Sequence, residues 1–234
     1  NLDAALADFS RASELSPAKL LYYIEPANLS IELGRHNDAV AYLTKAIELS
    51  DEDPQLYFLR ANEFEILGNH RLADDDYAQA IRLDPRNIEL VYRRALALLA
   101  VGDFEASLNV TRVGLQISAD DPRFLVASGH ANLGLGLTEA ALAAYNNALS
   151  QPSSELIGVT SSVNDHSDSF WTGTSRTLAD VRSINSEIQL GRARALVDSG
   201  QVENGLQAFD QAIALVPDNP ELYWHRAAAR VEAS

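Results

Sequence analysis

The feature that most constrains this chain is a spacing of thirty-four residues that recurs along most of its length. Gly34, Gly68, Gly102 and Gly136 stand at this interval. Two further rows of small residues keep the same spacing: Ala12, Ala46, Ala80, Gly114 and Ala148, and Ala39, Ala73, Ser107 and Ala141. A fixed period of about 20 to 50 residues is typical of repeat architectures, whose units bury their apolar faces only against neighbouring units. The chain is therefore predicted to be a stack of similar units.

Each unit has the pattern of two helices, A and B, joined by a turn. Position one of a unit is assigned to Leu20, Pro54, Ile88, Pro122 and Ser186. Glycine then falls at position fifteen, where a positive φ closes an α-helix. In the second unit, helix A is predicted from about Pro54 to Leu67 and helix B from about Arg71 to Leu83. Asp53-Pro54, Asp121-Pro122 and Asn219-Pro220 each pair an N-cap acceptor with proline at the first helical position.

Small residues at positions eight, twenty and twenty-seven allow the helices to approach closely. Large residues at position twenty-four fill the space between them: Phe9, Leu43, Tyr77, Tyr145 and Phe209. Together with Pro17, Pro85 and Pro217 at position thirty-two, this pattern resembles the tetratricopeptide repeat. The resemblance covers about 200 of the 234 residues. It implies an all-α fold, an α-solenoid of helix-turn-helix repeats wound as a right-handed superhelix.

The repeat pattern predicts the following organisation. Residues 1–19 form a half repeat with helix B only, 20–155 form four repeats, 156–185 are an insertion, 186–219 form a further repeat, and 220–234 form a half repeat with helix A only. Within the insertion, residues of about 158–176 are predicted to be a loop, because they are rich in Ser, Thr, Asn and Asp. A long helix is expected to start near Thr177. Phe170 and Trp171 are predicted to form an insertion surface that docks on the array.

Three side-chain patterns give local expectations. Arg60, Arg94, Arg192 and Arg226 replace the leucine that the family usually has at position seven. We expect them to pair with helix B carboxylates such as Asp76 or Asp210, a structural role. His36 and His70 occupy equivalent A–B turns and are expected to be exposed and unpaired. Pro26 lies inside a predicted helix A, which must either contain it as a kink or begin late after an irregular start.

Composition limits the possible functions. The net charge is −15, with a pI near 4.6, so nucleic-acid phosphates and anionic lipid surfaces are repelled. No apolar run is long enough for membrane insertion, and the absence of cysteine excludes disulfides and thiolate metal sites. No catalytic motif, metal-site spacing or cofactor fingerprint is present, so we predict no enzyme activity, no metal and no cofactor. The chain contains no methionine, so we expect it to be a piece of a larger protein; no compartment is indicated.

The resemblance also implies where a partner would bind. Tetratricopeptide arrays place helix A positions two, five, six, nine and twelve to thirteen on a concave groove. The groove candidates are Asn28, Asn62, Glu65, Arg93, Arg123, His130 and Arg194. The family's clamp for a peptide C-terminal carboxylate is matched only at Asn28 and Arg93, whereas Ile24, Leu59 and Glu89 depart from it. We therefore expect a peptide of mixed charge rather than a clamped C-terminus.

The predicted function is a protein–protein interaction scaffold that binds a protein or peptide partner in this groove. The alternative is an assembly or targeting domain excised from a larger enzyme or from an envelope transport or secretion machine. The two half repeats also predict a contact between copies, in which the C-terminal helix of one molecule packs on the N-terminal helix of the next. Such a contact would be head-to-tail and non-closing.

Overall fold

The computed structural model describes residues 2–119, 121–151 and 178–233, apart from the side chains of 178–181. All regular secondary structure in these residues is helical, which confirms the predicted all-α class. The helices are α1 Leu2–Leu15, α2 Leu21–Glu32, α3 His36–Leu49, α4 Pro54–Ile66, α5 His70–Leu83, α6 Ile88–Ala100, α7 Phe104–Ile117, α8 Pro122–Gly134, α9 Thr138–Ser150, α10 Leu178–Asp198, α11 Val202–Leu215 and α12 Pro220–Glu232. The even-numbered helices are the A helices of the repeats.

The chain forms two compact halves, Asn1–Asp103 and Phe104–Ser234. In the first half, each of the helices α1 to α6 packs on the next along the chain. In the second half, the same holds from α7 to α12, and α10 packs on α9 although residues 152–177 separate them. Packing of each helix on its sequence neighbours is the pattern of a solenoid of helical hairpins, as predicted.

Five glycines end A helices with the predicted positive φ. The φ angles are 67° at Gly34, 73° at Gly68, 77° at Gly102, 72° at Gly136 and 80° at Gly200. The residue after each glycine donates its N–H to the carbonyl oxygen five residues earlier, as Asn69 does to Phe64 at 2.8 Å. This hydrogen bond is the Schellman closure of an α-helix.

Side-chain caps begin several A helices. Asp53, Asp121 and Asn219 each accept a hydrogen bond from the backbone N–H two residues later, at 2.9, 3.0 and 3.0 Å. The predicted capping role is therefore confirmed. Asn87 does the same at the start of α6, where isoleucine rather than proline follows. A cap satisfies a backbone donor that the first helical turn would leave unpaired.

The rows of small residues lie where helices meet. Ala27, Ala61 and Ala95 at position eight are fully buried. A Cβ placed on Gly114 would lie 2.2 Å from the Phe124 ring, so that site has no room for even a methyl group. Large side chains at position twenty-four fill the remaining space, and Tyr77, Tyr145 and Phe209 are at most 2% exposed. Small residues thus leave the space that the large side chains of neighbouring helices fill.

Pro26 lies inside α2, and the helix does not begin late. Residues 21–25 are helical, and Ile24 donates to the Leu20 carbonyl at 3.2 Å. The alternative of a late start after an irregular segment is therefore excluded. Ser30 donates its hydroxyl to the Pro26 carbonyl at 2.7 Å, and both residues are buried. Proline at this position cannot donate a backbone hydrogen bond to the residue four positions earlier, and a proline inside a helix costs about 3 kcal/mol.

The prediction that His36 and His70 are exposed and unpaired is wrong. His36 Nδ1 lies 2.7 Å from Glu63 Oε2, and His70 Nδ1 lies 3.1 Å from Glu65 Oε1. The Glu63 side chain is only 3% exposed, because position ten of a repeat faces the interior. A buried carboxylate requires a polar partner, and His36 at the start of the preceding helix B supplies it.

Candidate functional site

Three of the four position-seven arginines pair with helix B carboxylates, as predicted: Arg60, Arg94 and Arg226. For Arg192 the prediction is wrong, because the residue it reaches on helix B is Asn146, an amide. Arg60 binds Asp76 through two hydrogen bonds, Nε to Oδ2 and Nη2 to Oδ1, both at 2.7 Å. Arg226 binds Asp210 at 2.5 Å. These pairings confirm the prediction for both carboxylates. A planar guanidinium holds a carboxylate at two points, which fixes the angle between the two helices.

Three of these arginines reach position twenty-five of the preceding helix B. Arg60 donates to Thr44 at 3.1 Å, Arg192 to Asn146 at 2.9 Å and Arg226 to Asp210. The sequence separations are 16, 46 and 16 residues, so the second exceeds the others by 46 − 16 = 30 residues. The contact between neighbouring repeats is therefore kept between α9 and α10, although about 30 more residues separate its two partners along the chain.

In two repeats, position nine of helix A carries a polar residue that is hydrogen-bonded to a buried tyrosine. Tyr77 donates its hydroxyl to Asn62 Oδ1 at 2.8 Å, and the Tyr145 hydroxyl lies 2.9 Å from His130 Nδ1. Both tyrosines occupy position twenty-four and are fully buried. Burial raises the pKa of both hydroxyls, so they remain protonated donors at neutral pH. We call each of these contacts a tyrosine–position-nine pair.

The hydrogen bonds of His130 define its tautomer. Its Nε2 lies 3.1 Å from Glu187 Oε1, on the next A helix. A carboxylate only accepts hydrogen bonds, so Nε2 carries the proton in the neutral ring and Nδ1 accepts from Tyr145. His130 therefore joins α8, α9 and α10 through one imidazole.

In the first half, the candidate residues surround Tyr77. The charges of Glu65, Arg93 and Glu89 all act on its hydroxyl. Arg93 Nε donates to Glu89 Oε1 at 2.8 Å, and the Arg93 side chain is 47% exposed. Asn28 is half-buried on α2. We call these residues, together with Asn62, the A-helix face of the first half.

In the second half, the A-helix face comprises His130, Glu187 and Arg194. His130 is 29% exposed and Glu187 is 57% exposed in their side chains. Arg194 is also exposed. Its positive charge acts on Tyr145 of α9 and on His225 of α12. Gly191, one turn before it, leaves room for Tyr145, because a Cβ there would lie 2.5 Å from the tyrosine ring.

Arg123 differs from the other candidates because its side chain is bound at the start of its own helix. It is 7% exposed, and its Nη2 donates to Asp121 Oδ2 at 2.7 Å. Asp121 is the N-cap of α8 and also accepts from the Arg123 backbone N–H. The guanidinium is therefore engaged within the fold, and a role for Arg123 in partner binding stays a prediction.

Phe170 and Trp171 lie outside the described residues, as does the predicted loop of about 158–176. Within the residues that are described, no group of three or more His, Asp or Glu side chains could hold a metal ion. No helix in that part of the chain is both long and apolar enough to cross a bilayer.

Comparison with known proteins identifies the repeats. The family model "Tetratricopeptide repeat" matches residues 22–53 and 54–87, and the model "TPR repeat" matches residues 193–232. No curated protein gave a significant match to the chain.

Three solved structures illustrate the similarity of fold. YrrB, described as a TPR protein with an unusual peptide-binding site, is 19% identical over 94% of this chain and 97% of its own, with a TM-score of 0.64. MamA residues 41-end from Desulfovibrio magneticus RS-1 is 15% identical over 86% of this chain and 97% of its own, with a TM-score of 0.65. TTC0263, a thermophilic TPR protein of Thermus thermophilus, is 16% identical over 91% of this chain and 100% of its own, with a TM-score of 0.59. Identities this low establish a common fold.

Proposed function

We propose, from the premise that this chain is built of tetratricopeptide repeats, that it binds a protein or peptide partner along its A-helix faces. Support comes from the similarity in fold to YrrB, which is described as having a peptide-binding site. Helical repeat arrays present extended surfaces of this kind to their ligands. The proposal concerns a segment of a partner protein bound without chemical change.

The observation that carries the proposal is the preorganisation of polar groups on these faces. Asn62 and His130 are partly exposed, yet each is held by the hydroxyl of a fully buried tyrosine. A side chain that is already fixed loses little conformational entropy when a ligand binds it. Of the two, Asn62 is suited to hydrogen bonding with the backbone of an extended segment, because the tyrosine occupies only its Oδ1, whereas both ring nitrogens of His130 are already engaged.

The charges on the two faces favour a partner segment of mixed charge. Glu65 and the Glu89–Arg93 pair lie on the first face, and Glu187 and Arg194 lie on the second. The chain as a whole carries a net charge of −15, so electrostatic attraction favours cationic residues in most registers. Close to Arg93 and Arg194, the positive charge favours an acidic residue of the partner instead.

The experiment is selection of binding segments from a displayed random-peptide library, followed by affinity measurement with variants. Arg93→Glu places a negative charge on the first face, whereas Arg82→Glu places the same charge on helix B of the neighbouring repeat. We expect Arg93→Glu to weaken binding about tenfold or more and Arg82→Glu to have little effect. Equal effects of the two variants, or a library that yields no binding peptide, would overturn the proposed function.

Self-association remains a separate part of the proposal. On α12, Trp224 is 68% exposed and Val231 is 76% exposed, and on α1, Leu15 is 70% exposed. These side chains are the ones that a head-to-tail contact between copies would cover. Covering them would remove apolar surface from water, which favours such a contact.

A further inference from the structure

The last complete repeat lacks the tyrosine–position-nine pair that the repeats of Asn62 and His130 contain. In residues 186–219, position nine is Arg194 and position twenty-four is Phe209. Phe209 is buried like the two tyrosines, at 2% exposed, but it carries no hydroxyl. Its ring instead lies parallel to that of His225, with 6.3 Å between centroids and 3° between planes. The intrarepeat hydrogen bond of position nine is therefore missing at Arg194.

Within the described residues, Arg194 also lacks the hydrogen bonds and ion pairs that six other A-helix arginines make. Arg60, Arg93, Arg94, Arg123, Arg192 and Arg226 each donate to a carboxylate or an amide oxygen. Across residues 2–119, 121–151 and 178–233, no hydrogen bond or ion pair involving Arg194 is found. Glu187 is engaged with His130 instead. Arg194 is exposed, and none of its donors is occupied by a side chain or carbonyl of the described residues.

The surroundings of Arg194 suit a single negative group from a partner. The Arg194 charge acts on His225 of α12, whose pKa is lowered first by burial and then by that charge, which favours the neutral imidazole. The same charge acts on Tyr145 of α9, whose buried hydroxyl is a neutral phenol. The acidic groups that act on these two residues are Glu187 and Glu221, each at position two of an A helix. Their charges disfavour a second negative group of the partner beside the first.

We infer that Arg194 binds a carboxylate of the partner segment, so that the second A-helix face requires one acidic group in its ligand. The inference rests on the proposed function. A planar guanidinium accepts a carboxylate through two parallel hydrogen bonds. The same acidic group is repelled by most of a chain with net charge −15, so this contact also sets the register in which a segment binds.

The test measures the affinity of each peptide and of its modified form for the unmodified protein and for the Arg194→Gln variant. Library-selected peptides are resynthesised with each Asp or Glu replaced by its amide, and separately with an amidated C-terminus. We expect one of these changes to weaken binding about tenfold, the scale of a hydrogen bond to a charged group. Which change does so distinguishes a side-chain carboxylate from a terminal one. Arg194→Gln should lower affinity for the unmodified peptide by the same factor and should not lower it further for the modified peptide.

Phe209→Tyr provides a variant that keeps the Arg194 charge. By the geometry of Tyr77 and Tyr145, the added hydroxyl would reach position nine and accept a hydrogen bond from Arg194. We expect it to weaken binding of the acidic peptide and to leave its amide counterpart unaffected. Arg112→Gln, an exposed arginine on α7 that binds Asn109, is the control for charge loss elsewhere.

The possible failures are distinguishable. Peptides that bind, depend on Arg93, and are indifferent to both Arg194→Gln and amidation would overturn this inference and leave the proposed function standing. The inference is likewise overturned, with the proposed function intact, if Arg112→Gln weakens binding as much as Arg194→Gln does. If no peptide binds, or if Arg93→Glu has no effect, the proposed function fails and the inference fails with it.

Discussion

At the scale of single residues, Glu63 stands out because its position is apolar in the other repeats. Position ten is Ala97, Ala131, Ala195 and Ala229 in four of them, and all four alanines are buried. Glu63 places a carboxylate in the same row, and its hydrogen bond to His36 makes that possible. Removing one member of a buried polar pair leaves the other unsatisfied, which costs more than removing both.

His36→Ala is predicted to lower the free energy of unfolding by about 2 to 3 kcal/mol. Glu63→Ala restores the alanine of the other repeats and should cost less. Urea denaturation of both single variants and the double variant measures the coupling. In the Glu63→Ala background, the His36 substitution should have little effect; a full cost there would contradict the account.

His225 gives a prediction about pH. Its pKa in the folded chain is lowered from 6.5, first by burial and then by the Arg194 charge. The unfolded chain therefore binds a proton at a higher pH than the folded chain does, so this contribution to stability is complete above about pH 6.5 and is lost as the pH falls.

NMR titration of the imidazole measures this directly. Arg194→Gln is expected to raise the pKa of His225, because it removes a positive charge, and a bound carboxylate should raise it as well. Arg112→Gln serves as the control and should leave the titration unchanged. A His225 titration that does not respond to Arg194→Gln would show that the two groups are not close.

At the scale of helices and turns, glycine has two different roles in this chain. Gly68 closes α4 at φ 73°, with no atom within 4 Å of where a Cβ would be. Gly129 lies inside α8, where a Cβ would come within 2.5 Å of the Tyr145 ring. The first role is conformational and the second is steric.

Gly68→Ala is predicted to destabilise the fold by about 1 to 2 kcal/mol, the cost of a left-handed backbone for an L-residue. Gly129→Ala should destabilise by about 1 to 3 kcal/mol despite the higher helix propensity of alanine, because it overpacks the contact with Tyr145. Combining Gly129→Ala with Tyr145→Phe should recover little, because the phenyl ring itself makes the clash. Thermal unfolding of the three variants decides this, and a stabilising Gly129→Ala would refute the packing described for α8.

Much of the element-scale structure could be predicted from sequence. Glycine turns, N-caps and small-residue contacts are repeated at one spacing, so each repeat supports the interpretation of the others. The pairs of His36 with Glu63 and of Tyr77 with Asn62 could not be predicted in this way, because they depend on side-chain directions between two helices. The contact of Arg123 could not be predicted for the same reason. Position two of its repeat indicated a groove residue, but in the structure its guanidinium binds Asp121, the N-cap of the same helix.

At the scale of the whole molecule, the chain forms two compact halves, and each half carries one A-helix face that can be tested separately. The predicted division into 20–155, the insertion of 156–185 and 186–219 stays a prediction. The contact of Arg192 with Asn146 supports one point of it, since helices on both sides of the insertion keep the usual partner positions.

Deleting about 158–176 is therefore predicted to leave the fold intact, as measured by an unchanged circular dichroism spectrum and thermal midpoint. A large loss of stability would contradict this.

Self-association is tested at the same scale. If α12 of one copy packs on α1 of the next, the sedimentation coefficient should rise with protein concentration, and Trp224→Glu should abolish the rise. Tyr92→Glu, on α6, controls for an added charge elsewhere. A single monomeric species at all concentrations, or equal behaviour of the two variants, would eliminate the contact.

The central claim, that a partner segment lies along the A-helix faces, is tested most directly by photo-cross-linking. A library-selected peptide with a benzophenone group near its middle is irradiated with the chain, and the attachment sites are mapped by mass spectrometry. The account predicts attachment to α2, α4, α6, α8, α10 or α12, next to residues such as Asn62 and His130. Attachment confined to helix B residues of α3, α5, α9 or α11 would contradict it.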